Sequence, residues 1–221
     1  MGVMYSSDSI DTSRLSLDDT AVTGRQYLRI PLSDVTKLVE VYNAHAFQPM
    51  IDMNGLRSLF MIALNDRNVK LKGTSFFFNV DDLIDTIWII FEHETNQICY
   101  TQEILACLIV LVDCPWSKRL SLLFDTFKCM GVDAIGHDEI VLLIQSVASS
   151  LCRLWKSSVI DYDELSELSL DIAKNALLKL GKDMEDYIGR EQFIMWASDR
   201  FRDSKTIASV AALLTIYSVV V

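Results

Sequence analysis

Residues 80–112, VDDLIDTIWIIFEHETNQICYTQEILACLIVLV, contain two apolar segments on either side of a short acidic loop. The apolar residues of the first segment recur at helical spacing, at Val80, Leu83, Ile84, Ile87 and Phe91. The second segment continues the pattern at Ile104, Leu105, Leu108 and Val112. Because this spacing places apolar residues on one face of a helix, the stretch predicts an amphipathic helix, a loop and a second helix.

The same helix–loop–helix unit can be read four times along the chain. Each loop carries one residue of buried type near its end, and these are Ile51, Cys99, Ile135 and Ile188. Cys99 and Ile135 lie 36 residues apart, a usual spacing for two such units that pair. Only three prolines and eight glycines interrupt the chain, and its long segments show helical rather than alternating periodicity. We predict an all-α fold of two lobes, each a pair of helix–loop–helix units.

The chain divides into four predicted segments. Residues 1–30 form a Ser- and Asp-rich arm that is expected to be flexible, since it has few large apolar groups to bury. Residues 31–114 form the first pair of units and residues 115–204 the second, with Pro115 breaking the chain between them. Ser33, Asp52 and Ser117 are predicted helix caps. Residues 205–221 form an apolar tail.

The tail has no charged residue after Lys205, yet it is shorter than the roughly 18 to 20 apolar residues that a membrane-spanning helix needs. Two interpretations stay open. The tail packs into the protein's own groove, which we favour because an exposed apolar tail promotes aggregation, or it docks on a partner.

Composition excludes several classes of function. The net charge of −10 leaves no basic cluster for nucleic acid, and it favours basic partners. The five cysteines form no CxxC pair, which excludes a zinc site and indicates a reducing compartment such as the cytoplasm. We find no phosphate loop, nucleophile elbow or HExxH motif, and the three histidines are scattered in loops, so we expect no catalytic residues and no cofactor.

The acidic second loop is the one candidate for metal binding. A calcium-binding loop of this kind supplies oxygen ligands at its first, third and fifth positions, a glycine at the sixth and a bidentate glutamate at the twelfth. With Cys99 at the eighth position, the ligands would be Glu92, Glu94, Asn96 and Glu103, and Gln97 would occupy the turn. Glutamate is a poor first ligand, and a turn without glycine carries strain, so we expect weak calcium binding at most.

The other three loops have lost their ligands. The third loop begins with Lys128, whose ammonium group would repel a dication, although Glu139 stands at its twelfth position. The fourth begins with Gly181 and has the neutral Gln192 in place of the bidentate glutamate. The first, Ala44 to Gly55, carries Pro49 at the turn. These loops predict a fold retained for its shape.

Three motifs resemble one known family. They are residues 51–56 (IDMNGL), residues 90–92 (IFE) and residues 123–127 (LFDTF), and the resemblance covers about residues 33–202. The chain resembles the calmodulin superfamily of EF-hand proteins, and within it the calaxin-like, neuronal-calcium-sensor-like branch. The resemblance implies two lobes with mostly degenerate calcium loops, an apolar groove that takes an amphipathic helix, and no catalytic residues. It implies calcium, if any, at Glu92, Glu94, Asn96 and Glu103.

We therefore expect a non-catalytic EF-hand adaptor that binds a helix of a partner protein largely without calcium. The resemblance implies a structural subunit of a large ciliary or axonemal assembly, such as a dynein-docking or microtubule-associated complex. The expected partner is a basic amphipathic helix bound in an apolar groove, with no nucleic acid and no stable membrane insertion. The alternative is a calcium sensor that uses the second unit only, membrane-associated through N-myristoylation at the sequence MGVMYS of residues 1–6.

Overall fold

A computed structural model describes residues 28, 30–45, 48–64, 69–70, 77–92, 97–129, 131–155 and 162–202 of this chain. These residues are mostly helical, as the periodicity predicts. The helices of the first half are α1 (Leu32–Ala44), α2 (Met53–Leu64), α3 (Val80–Phe91) and α4 (Thr101–Leu111). Those of the second half are α5 (Trp116–Phe127), α6 (His137–Trp155), α7 (Tyr162–Lys179) and α8 (Arg190–Arg202).

The described residues also form short strands of two residues each, which pair with one another. These strands are β1 (Met50–Ile51), β2 (Val69–Lys70), β3 (Phe77–Phe78), β4 (Cys99–Tyr100), β5 (Ala134–Ile135) and β6 (Ile188–Gly189). All three pairings are antiparallel: β1 with β4, β5 with β6, and β2 with β3.

The strand register brings the four predicted inward residues together two by two. Ile51 lies opposite Cys99, and Ile135 lies opposite Ile188, and all four are buried. The strands pair the loops within residues 31–114 and within residues 115–204. Cys99 and Ile135, which lie 36 residues apart, do not pair with each other, so their spacing does not mark a pair of units.

Proline, not serine, precedes two of the helices. Pro31 precedes α1 and Pro115 precedes α5, and the carbonyl of each accepts the first backbone hydrogen bonds of its helix. The predictions of Ser33 and Ser117 as caps were wrong, because each lies two residues after the N-cap proline and is the second residue of its helix. The prediction for Asp52 is confirmed, since its Oδ1 accepts a hydrogen bond of 2.8 Å from the Gly55 backbone N–H.

One continuous hydrophobic core runs through both halves, and α4 lies in its middle. Every residue from Ile104 to Val112 is buried, and α4 contacts α1, α3, α5 and α6. Fully burying a leucine or isoleucine side chain contributes roughly 1.5–3 kcal/mol, so this helix supplies a large share of the driving force for folding. Leu28 and Ile30, at the end of the predicted arm, are also buried.

The described helices include none that is both long and apolar enough to cross a membrane. The N-terminal arm up to residue 27, with its myristoylation pattern, and the apolar tail at residues 205–221 lie outside the described residues.

Candidate functional site

Two of the four predicted ligands of the second loop can be placed. Glu92 follows the last residue of α3 and is half-buried, and Glu103 lies in the first turn of α4. Glu94 and Asn96 lie outside the described residues. Gln97 adopts a left-handed backbone with φ of 52°, which is the turn conformation predicted at this position.

Glu103 directs both carboxylate oxygens toward α6. Its Oε1 accepts a hydrogen bond of 2.7 Å from the Ser149 hydroxyl, and its Oε2 lies 3.3 Å from the Arg153 Nε. The second contact is an ion pair without the alignment of a hydrogen bond. The carboxylate that was predicted to clamp calcium is therefore engaged by side chains of the same chain.

The pKa of the buried Cys99 thiol depends on the charges around this loop. Burial is the main reason that the pKa of Cys99 rises to about 12, and the negative charge of Glu92 raises it next. Arg153 acts in the opposite direction, and Glu103 adds a smaller increase. Glu92, Glu103 and Arg153 therefore all act on one buried atom, which stays a neutral thiol at ordinary pH.

In the third loop, Lys128 takes the position expected for the first calcium ligand. Its Nζ lies 3.2 Å from Asp133 Oδ1 and 3.4 Å from Asp125 Oδ1. The ammonium group of Lys128 therefore lies beside two carboxylates, one in this loop and one in α5. Hydrogen bonding to Lys128, and then the charge of Arg190, lowers the pKa of the Asp133 carboxyl.

Arg190 joins the fourth loop to the third, and the sequence analysis missed it. Its guanidinium pairs with both carboxylate oxygens of Asp125, at 2.6 and 2.8 Å, and lies 3.1 Å from Asp133 Oδ1. It also donates to the Ser121 hydroxyl at 2.9 Å and stacks 4.8 Å from the centre of the Phe124 ring. These contacts raise the pKa of Arg190, chiefly through the hydrogen bonds to Asp125. Asp125 precedes Arg190 by a whole helix–loop–helix unit, so no local motif marks the pair.

The residues at the twelfth positions of the third and fourth loops act as helix caps. Glu139 Oε2 accepts a hydrogen bond of 3.0 Å from the backbone N–H of Gly136, just before α6. Gln192 Oε1 accepts one of 3.2 Å from Gly189, just before α8. A side chain three residues into a helix that reaches back in this way is half of a capping box. This role needs no metal, and a neutral glutamine fulfils it as well as a carboxylate does.

The first position of the fourth loop serves to end a helix. Gly181 has φ of 67°, its N–H bonds to the Leu178 carbonyl, and the N–H of Lys182 bonds to the Leu177 carbonyl. This is the Schellman arrangement, in which glycine is favoured because a Cβ strains the left-handed backbone.

Within the described ranges, no three His, Cys, Asp or Glu side chains come close enough together to hold a metal ion. His137 Nδ1 contacts the carboxylate of its neighbour Asp138 at 2.9 Å. His45 Nδ1 lies 3.1 Å from the Val41 carbonyl oxygen within its own helix end.

Comparison with known proteins gives no further guide to this site. No protein-family model matches the chain. No curated protein shows significant similarity to it.

Proposed function

We propose that this chain is a non-catalytic adaptor of the EF-hand type that works without calcium. The observation that carries the proposal is the engagement of carboxylates in and beside the loops by the chain's own cations. Lys128 and Arg190 pair with Asp133 and Asp125, and Arg153 pairs with Glu103. Cations placed by the fold fill the electrostatic role that calcium has in a sensor, so the loops need no added ion to keep their shape.

The paired loops support the EF-hand assignment. In each half, two loops meet through two-residue antiparallel strands, and the apolar residues at the eighth positions lie opposite each other. This arrangement fixes the two helix–loop–helix units relative to one another whether or not a metal is bound. The proposed adaptor therefore keeps the paired loops of an EF-hand protein but not the calcium ligands.

The proposed partner is a basic amphipathic helix of a larger assembly. The chain carries a net charge of −10, and Met184 and Met195 are exposed in its second half. Methionine adapts its shape to different apolar partners, and negative charge around it favours lysine- and arginine-rich helices. A cytoplasmic place in a ciliary or axonemal complex is the part of the proposal that rests on the family resemblance alone.

Calcium titration by calorimetry tests the central claim. We expect no heat of binding at millimolar calcium in the wild-type chain. Heat that the wild type releases and Glu103→Gln abolishes would contradict the proposal and favour a calcium sensor that uses the second loop.

Peptide binding tests the partner. In a chelator, we expect a basic amphipathic helical peptide to bind more tightly than a peptide of the same composition in scrambled order. The two peptides have equal charge, so equal affinities would show only non-specific attraction and would contradict an apolar docking site.

A further inference from the structure

A partly buried ion pair joins the second loop to the far end of α6. Arg153 and Ser149 are in the C-terminal half of this 19-residue helix, and Glu103 lies in the first turn of α4 in the other half of the chain. The Arg153 side chain is 20% exposed and that of Glu103 is 12% exposed. Such a pair is only weakly screened by solvent, so removing one partner leaves a poorly solvated charge.

The position of α6 places this ion pair between the two halves of the chain. The helix begins at the third loop and continues past its own unit, so that it contacts α4 and α3 of the first half. Val147, Leu151 and Leu154 of this segment are buried in the shared core. The polar contacts of Ser149 and Arg153 lie beside that apolar packing and fix its register on Glu103.

We propose that Glu103, Ser149 and Arg153 form a latch, in which Arg153 is the internal cation of the second loop and couples this loop to the docking of α6. The inference deepens the proposed function and rests on it, because it assigns the group that replaces calcium. A dication held by both oxygens of Glu103 would compete with Arg153 for the same carboxylate and would repel its guanidinium. Filling the loop therefore opposes the docking of the end of α6.

Hydrogen exchange of residues 147–155, measured in a chelator, tests the latch. We expect Arg153→Met and Glu103→Gln each to speed exchange of these amides by about tenfold, since each variant removes the ion pair between α4 and α6. The double variant should add no more than about threefold to either single change, because both substitutions remove the same contact. Arg57→Met is the matched control, since Arg57 and Asp81 form an exposed pair at the same 3.3 Å distance.

Two results would overturn the latch: single variants that exchange like the wild type, or single effects that multiply in the double variant. If Arg153→Met does not fold, Ser149→Ala carries the test. Loss of its hydroxyl should speed the same amides by about fivefold. Ser58→Ala, which removes a hydroxyl bonded to the Asn54 carbonyl within α2, should leave them unchanged. Unchanged exchange in Ser149→Ala would refute the latch.

Calorimetry with calcium on the same proteins separates the two proposals. If the wild type binds calcium, the proposed function fails, and the exchange data still decide whether the latch exists.

Discussion

At the scale of single residues, Asp133 shows how the chain's own cations hold the third loop. Its carboxylate accepts contacts from Lys128 inside the loop and from Arg190 of the next unit. The side chain is largely exposed, so each contact alone is weak. The loop conformation is held by the whole network of two cations and two carboxylates.

Acid should weaken this network in a predictable direction. The pKa of Asp133 is lowered from its ordinary value of 3.8, so its contribution to stability is present above that value. This contribution is lost as pH falls through the lower pKa of the folded state. We expect Asp133→Asn to be less stable than the wild type at pH 7, and the difference in free energy of unfolding to shrink in acid.

Denaturant unfolding across the acid range measures this difference. Lys128→Met is the matched variant, because it removes the main cause of the lowered pKa, and it should reduce the pH dependence in the same way. A difference that stays constant down to the lowest pH at which the protein folds would show that Asp133 acts through packing.

The cysteines offer a second test at this scale. Burial, with a smaller effect of Glu103, raises the pKa of Cys107 far above its usual range, and Cys99 has a pKa of about 12. Because the thiolate is the reactive form, we expect both thiols to be alkylated at pH 8 only as fast as the core opens. The half-buried Cys114 should react much earlier. Mass spectrometry after timed alkylation resolves the sites, and early modification of Cys99 would refute the buried packing of β4.

Residue roles were predictable where they depend on local pattern. The burial of Ile51, Ile135 and Ile188 follows from helix–loop–helix spacing, and the left-handed turn at Gln97 follows from its position in the loop. The roles of Arg153 and Arg190 depend on partners in other units, and one sequence contains no local signal for such pairs.

At the scale of elements, several loop residues have roles at the ends of helices. Prolines precede α1 and α5 because their fixed backbone suits the entry to a helix, and serine propensity alone did not reveal this. Glu139 and Gln192 cap α6 and α8, and Gly181 ends α7. A capping role needs no metal, so these residues are useful at these positions whether or not the loops bind an ion.

Gly181→Ala should therefore destabilise the protein by about 1 kcal/mol, because alanine strains the left-handed backbone at the end of α7. An added Cβ has nothing within 4 Å, so the cost would come from the backbone alone. Gly189→Ala is the matched control, since that position has equal space and no positive φ. We expect the control to change the free energy of unfolding by less than about 0.5 kcal/mol. Equal effects of the two substitutions in denaturant melts would contradict the helix-ending role.

At the scale of the whole molecule, both halves contribute to one core, and polar contacts cross between them. The Asn43 side chain donates a hydrogen bond of 2.9 Å to the Asp125 carbonyl, which links α1 to α5, and Arg153 links α6 to α4. The helix content and the two loop pairs could be predicted from periodicity. The central place of α4 could not, because a helix that is apolar on all sides does not show which neighbours cover it.

This shared core predicts that the two halves unfold together. Trp88 reports on α3 in the first half, and Trp196 reports on α8 in the second. The chain has four tryptophans, so each reporter is isolated by replacing the other three with phenylalanine. We expect the variant that keeps only Trp88 and the one that keeps only Trp196 to give fluorescence melts that each coincide with the loss of helical circular dichroism, within about 2 °C. Two separated transitions would indicate independent lobes.

The enclosure of α4 also has a consequence for synthesis on the ribosome. The stretch Ile104–Val112 leaves the exit tunnel well before α6, one of the helices that cover it. During that interval an uncharged and very hydrophobic peptide is exposed to the cell, and such peptides are typical substrates for chaperones and starting points for misassembly. Slow translation or truncation between these two helices should therefore harm the yield of this protein more than a change to its loops does.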